Sequence, residues 1–263
     1  MLKRELRITK KGLIIWTSIC LLLFFITYVT YFNMNGNESS KALKEMLVIM
    51  PDELLKMFNM DIVDIDTVFG WFKTEGYTFI TLFTCLYSAI LGSNILLKEE
   101  SDKTIEFLHS KPITRSNIIS AKIWCGLINI LIMFTVITIF NIIGMSISNN
   151  LEIKLFLLLS LTPLLSALPF FFISMYISTF FKKTSTTNSI GIGFVFVSYF
   201  LQIISAISDK VDFIKYTSVF TLSDGRNIII NNSLNYLAIL ISITVVSISC
   251  YGIYRRYNNK ELV

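Results

Sequence analysis

Six stretches of this chain contain no Asp, Glu, Lys or Arg for longer than about 18 residues, the length at which an apolar helix can cross a bilayer. They are residues 12–37, 76–97, 123–151, 155–181, 184–208 and 227–254. Only 16% of the 263 residues are charged, whereas a soluble domain carries about 25%. Such runs satisfy their backbone polar groups in lipid only as helices. The fold class expected is therefore an all-α polytopic membrane protein, one domain over 1–263 with six transmembrane helices.

The charges between the stretches orient them. With the N-terminus inside, the cytoplasmic pieces are 1–11, 98–122, 182–183 and 255–263, and they hold 15 of the 23 Lys and Arg residues, leaving 8 outside. Lys and Arg near helix ends favour the cytoplasmic side, so the expectation is a multi-pass cell-membrane protein with both termini cytoplasmic. The net charge of +5 then reflects membrane orientation, and no nucleic acid is expected as a partner. Lys3, Arg4, Arg7, Lys10 and Lys11 precede the first span, which runs apolar from Leu13 to Phe32. A signal-peptide core is shorter, about 7–15 residues, and ends in a small-residue cleavage site. The first span is expected to stay as an anchor, with 1–11 an amphipathic segment whose Leu2, Leu6 and Ile8 rest on the inner leaflet.

Several chemistries fall away. Cys20, Cys85, Cys125 and Cys250 all lie in apolar stretches, so no external disulfide framework is available. His109, the single histidine, excludes an HExxH zinc site, and no Gly-Lys-Ser/Thr forms a nucleotide-binding P-loop. No catalytic or metal-ligating group is assigned.

The largest outer segment, the extracellular loop 33–75, has Ser39 and Ser40 as candidate N-caps and Leu43, Leu47 and Met50 at helical spacing. Pro51 followed by Asp52 and Glu53 restarts a helix, and Trp71, Phe72 and Tyr77 make an interfacial aromatic belt. This segment reads as a loop resting on lipid headgroups. Pro163 and Pro169 are expected to bend or break the fourth span, and Gly191 and Gly193 to admit a neighbouring helix to the fifth. Residues 209–233, too apolar for a free loop, suggest extracellular re-entrant or interfacial helices ending at Gly225.

The inner loop 98–122 carries the most information. Ser101 or Asp102 can cap a short helix with Ile105 and Leu108 on one face, Pro112 ends it, and Thr114 or Ser116 can cap the next span. This suits a docking elbow at the membrane. Its residue order resembles the hallmark loop of ABC-2-type ABC transporter permeases: an acidic residue, Thr, x-Glu-x-Leu, x-x-Pro, x-x-Arg and then Lys. Glu99 or Glu100, Thr104, Glu106, Leu108, Pro112, Arg115 and Lys122 take those places, while Lys103 stands where the family often has Gly, and His109 where it is commonly apolar or aromatic.

The resemblance implies a permease subunit that is not itself an enzyme. It would bind no cofactor, with ATP and Mg²⁺ in a separate cytoplasmic ABC ATPase subunit and a second permease, of the same chain or a paralogue, completing the assembly in membrane lipid. ATPase coupling would fall to Glu99, Glu100, Thr104, Ile105, Glu106, Leu108, Pro112 and Arg115. By the same resemblance the second and fifth spans would line the path, through Thr81, Phe83, Thr84, Tyr87, Asn188, Phe194, Tyr199 and Gln202. Hydroxyls among aromatics suit a hydrophobic or amphipathic cargo such as a peptide or drug. A proton or Na⁺ relay lacks a carboxylate within the stretches, which weakens a secondary transporter. A Glu-Glu-x-x-x-Arg membrane protease would need Arg at Thr104 and further histidines. A non-transporting immunity or sensor subunit on the same fold stays open.

Overall fold

The structure, a computed structural model, describes residues 1–34, 38–51, 54–55, 71, 77–102, 114–147, 153–207, 216–223, 228 and 233–260. Helix α1 spans Leu2–Met34, α2 Glu38–Ile49, α3 Tyr77–Ser101, α4 Arg115–Ile147, α5 Ile153–Ser178, α6 Thr184–Ile207 and α7 Tyr236–Asn259, with a 3-10 helix at Val219–Ser223. No strand occurs among the described residues. Helices α1 and α3 to α7 are long and apolar enough to cross a membrane. They alternate in direction. The start of α1, the ends of α3 and α7 and the starts of α4 and α6 meet on one side, here the terminal face, through contacts such as Lys122–Glu5, Lys260–Glu100 and Ser101–Thr184.

Helices α1, α3, α4, α5 and α7 extend past one end of the charge-free stretches from which they were expected, whereas α6 stays within its own. Helix α1 begins at Leu2, so the basic N-terminal residues belong to the same continuous helix as the first apolar stretch. Its 33 residues give about 50 Å at 1.5 Å per residue, well beyond a hydrocarbon core of about 30 Å. Ser39 and Ser40 lie inside the first turn of α2 rather than ahead of it. Thr114 does cap α4, its hydroxyl accepting from the Asn117 N–H at 3.4 Å.

Helix α3 is the centre of the bundle. Of its most apolar 18 residues 83% are buried, against 17% for α7. It packs most extensively on α5 and next on α6. Gly92 makes the α3–α5 approach possible, because a Cβ there would overlap the backbone carbonyl of Phe171, an atom that cannot move aside. Gly191 similarly faces Ser93 and Ser174, whereas Gly193 has nothing within 4 Å of a Cβ position. Only the first of the two glycines admits a neighbour.

Helix α5 runs unbroken through Pro163 and Pro169. Proline at 163 cannot donate to the Leu159 carbonyl one turn earlier. The Thr162 hydroxyl donates to that carbonyl instead, at 2.9 Å; of the bend or break expected at the prolines, no break occurs.

On the face opposite the termini, the Tyr28 hydroxyl of α1 donates to Asn141 Oδ1 on α4 and lies 3.2 Å from the Asn141 carbonyl. Trp71 Nε1 donates to the Thr27 carbonyl at 3.2 Å, and Leu47 of α2 packs with Leu55, Met50 and Trp71. The 3-10 helix lies against α5, α6 and α7. Ser218 just before it donates to the Ser198 carbonyl of α6 at 2.7 Å.

Candidate functional site

Near the terminal face the bundle buries three charges. Lys122, 0% exposed on α4, places its ammonium 2.7 Å from Glu99 Oε2 on α3 and 3.5 Å from Glu5 Oε2 on α1, and donates also to the Ile95 carbonyl. Both carboxylates are buried as well. A charge taken out of water costs several kcal/mol unless it is paired and hydrogen-bonded, so this cluster tolerates little displacement of the three helices. Asn129, two turns further along α4, donates to Thr9 Oγ1 at 3.0 Å and fastens the same two helices.

A second clamp lies beside the first. Lys260 Nζ meets both Glu100 oxygens, at 2.9 and 2.8 Å, and the Phe181 carbonyl at 3.0 Å. Arg115 opens α4, where a cation opposes that helix's own dipole. Its Nη1 donates instead to carbonyls at the end of α7 and just past it, Asn258 at 2.9 Å and the C-cap Lys260 at 2.8 Å. These acceptors have no partner inside α7 and sit at the negative end of its dipole.

The coupling residues expected from sequence therefore divide. Glu99, Glu100 and Arg115 are engaged within the chain. Thr104, Ile105, Glu106, Leu108 and Pro112 lie outside the described residues. The described three, with Lys122, fasten the two helix ends from which 103–113 departs.

A cavity of about 340 Å³ opens beside the ion cluster, between α1, α3 and α6. Its wall includes Glu5, Thr9, Trp16, Tyr87, Asn94 and Lys98. Trp16 packs against Phe83 and Tyr87, with ring centroids 6.2 and 6.3 Å apart. Phe79, Phe83, Ile90, Asn94 and Lys98 form one incompletely covered stripe along α3, at spacings of four, seven, four and four residues. Its lower part is the cavity wall.

The expected path residues lie in three settings. Thr81 and Thr84 are buried, and their hydroxyls donate to the carbonyls of Tyr77 and Ile80. Phe83 and Tyr87 border the stripe and the cavity. On α6, Phe194 packs edge-on against Phe170 at 5.5 Å, Tyr199 against Phe220 at 5.6 Å, and Gln202 Oε1 accepts from the Thr221 hydroxyl at 3.1 Å. These three face α5 and the 3-10 helix. Asn188 is half-buried on the same helix. Sequence reasoning missed Trp16, whose position one turn beyond Gly12 on the first span is its only local signal, and Glu5, which reads as one charge in a basic segment.

Six helices able to cross a membrane, with a charged base and a cavity beside it at one end, make this a polytopic helical membrane protein. A family model for ABC-2 family transporter proteins matches residues 2–262, and the chain belongs to that family. It is a membrane permease component of ABC-type transport; such permeases are in general non-catalytic and associate with a separate ABC ATPase. Neither a search of curated proteins nor one of solved structures finds a match.

Proposed function

We propose that this chain is the membrane half of an ABC exporter, driven through 103–113 by cytoplasmic ATPase subunits that bind ATP and Mg²⁺. The observation that supports this most is the double fastening of that segment's ends. The Glu99–Lys122–Glu5 cluster and the Glu100–Lys260 and Arg115 contacts tie the segment to α1, α3, α4 and α7 together. A displacement applied there moves those helices as a unit instead of being absorbed by a slack loop. Helix α6 meets the end of α3 without an ion pair among the described residues, through Ser101–Thr184 at 3.4 Å and Ser93 to the Thr187 carbonyl at 3.1 Å. Motion of α3 against α6 would then open and close the cavity between them.

In this reading both termini are cytoplasmic and the cavity faces the cell interior. The cargo is hydrophobic or amphipathic, held by Trp16, Tyr87 and the half-covered phenylalanines of α3, with Asn94 and Lys98 meeting its polar end. The buried hydroxyls of Thr81 and Thr84 are satisfied by their own helix, so the path runs along the open stripe of α3. A second permease subunit would close that stripe into a passage.

The test is Leu108→Asp. A carboxylate placed in a buried contact with the ATPase costs several kcal/mol, while insertion of the six spans is unaffected. Normal membrane levels with lost co-purification of the ATPase are expected; retained co-purification would overturn the coupling role.

A further inference from the structure

We infer that the cleft between the ends of α5 and α7 is a binding site for the headgroup of an anionic phospholipid. The cleft, about 470 Å³, is lined by Tyr176, Gly252, Arg255, Arg256, Asn259 and Lys260. Three of the six are cationic and none is acidic. Gly252 leaves the Tyr176 ring as the floor, since a Cβ there would overlap it.

The three cations differ in how they are held. Lys260 is neutralised by Glu100 at 2.8 Å. Arg256 is fixed with its guanidinium 3.7 Å over the Phe180 ring, an arrangement that orients the group without neutralising it. Arg255 is exposed and makes no ion pair among the described residues. Lys182 and Lys183 are exposed in the chain just after Phe181, whose carbonyl Lys260 holds at 3.0 Å. Arg255 and Arg256 thus line the cleft with no carboxylate among the described residues paired to them. Guanidinium groups match phosphate oxygens in a bidentate fork.

The rest of the ligand is defined by α7 itself. Leu240, Ile243, Ile248 and Tyr251 are all at least 60% exposed, and Ile248, Tyr251 and Arg255 follow one another at helical spacing. An apolar face of a spanning helix therefore leads directly down to the unbalanced guanidinium. That succession fits one amphiphile, acyl chains above and phosphate below. Free phosphate would use the cations and leave the apolar face without a role. Basic pockets at the ends of transmembrane helices favour anionic headgroups for this reason.

The experiment titrates the full-length purified chain with phosphatidylglycerol and with phosphatidylcholine, reading bound lipid by native mass spectrometry. The wild type should prefer phosphatidylglycerol, and Arg255→Gln with Arg256→Gln should reduce that preference roughly thirtyfold, at about fivefold per basic residue. Lys10→Gln with Lys11→Gln, exposed at the same end of the bundle on α1, should leave it intact. The inference is overturned if the arginine pair changes nothing, or if the lysine pair costs as much, which is generic surface attraction. It is also overturned if inorganic phosphate displaces phosphatidylglycerol at equal concentration, which marks a site for free anions. Unchanged thermal unfolding of both variants confirms that binding alone is being read.

Discussion

Lys122 and Glu99 stand 23 positions apart in sequence and 2.7 Å apart in space, on either side of 103–113 in the sequence. The loop of greatest interest to coupling is thus closed at its base by a buried ion pair. Glu5 brings α1 to the same point, so the arrangement holds two carboxylates and one ammonium away from water. Removing the ammonium leaves two like charges buried together, and removing all three leaves none.

This sets the first expectation. Lys122→Met should lower stability by about 3–5 kcal/mol, read as a fall in detergent Tm. Combining it with Glu5→Gln and Glu99→Gln should recover most of that loss. A single variant that melts like the parent would show that the cluster does not hold α1, α3 and α4 together.

Gly92 and Gly193 offer a matched pair. Gly92→Ala must push α5 away from α3, because the obstructing atom is the Phe171 carbonyl, and overpacking of this kind costs about 1–3 kcal/mol. Gly193→Ala enters open space and should leave the unfolding temperature where it is. Equal behaviour of the two would refute the close α3–α5 crossing.

Exchanging charges tests the second clamp. Glu100→Lys alone places two cations together with Lys260, and should reduce ATPase stimulation in the assembled complex; adding Lys260→Glu should restore it. Stimulation is the quantity to measure, at matched complex yields. Failure of the double exchange to recover would mean that the Glu100–Lys260 contact is not what transmits force to α7.

The orientation is open to chemical labelling. Asn37→Cys should react with a membrane-impermeant maleimide added to intact cells, and Asn259→Cys should react only after lysis. Reaction of the second from outside would invert the proposed topology.

Asn94→Cys reports on the cavity. It lines the space between α1, α3 and α6 and should be labelled readily in inverted vesicles containing the assembled transporter. A non-hydrolysable ATP analogue, by closing the ATPases, should slow the labelling several-fold. A rate indifferent to nucleotide would separate the cavity from the transport cycle.

The spans were legible because hydropathy is a local property: a run of apolar residues announces a helix wherever the rest of the chain goes. The helix starts were not, since a charge reads as a boundary. Glu5 and Lys122 are charges inside helices, admitted because Lys122 meets both Glu5 and Glu99, a relation that no local window contains. The absence of a break at the prolines turns on a similar point. Pro163 removes one donor, and the neighbouring Thr162 hydroxyl supplies another. Thr81 and Thr84 show the reverse limit. Polar residues in a span suggest a path, yet these hydroxyls serve their own backbone within the α3 core. The resemblance in 98–122 pointed to the family that residues 2–262 match, and most of its apex lies outside the described residues.

The central place of α3 bears on how the chain is made. Its closest partner, α5, follows only after the whole of α4, and its mean hydropathy of 1.7 is lower than the 2.4 of α4. At a synthesis rate of roughly 5–20 residues per second, α3 waits several seconds in the bilayer with the notch at Gly92 unfilled. During that interval it is the span most in need of shelter, from the insertion machinery or from α1. A ribosome stalled before α5 emerges would therefore leave an exposed, degradable intermediate, and the same stall placed after Ser178 would leave a protected one.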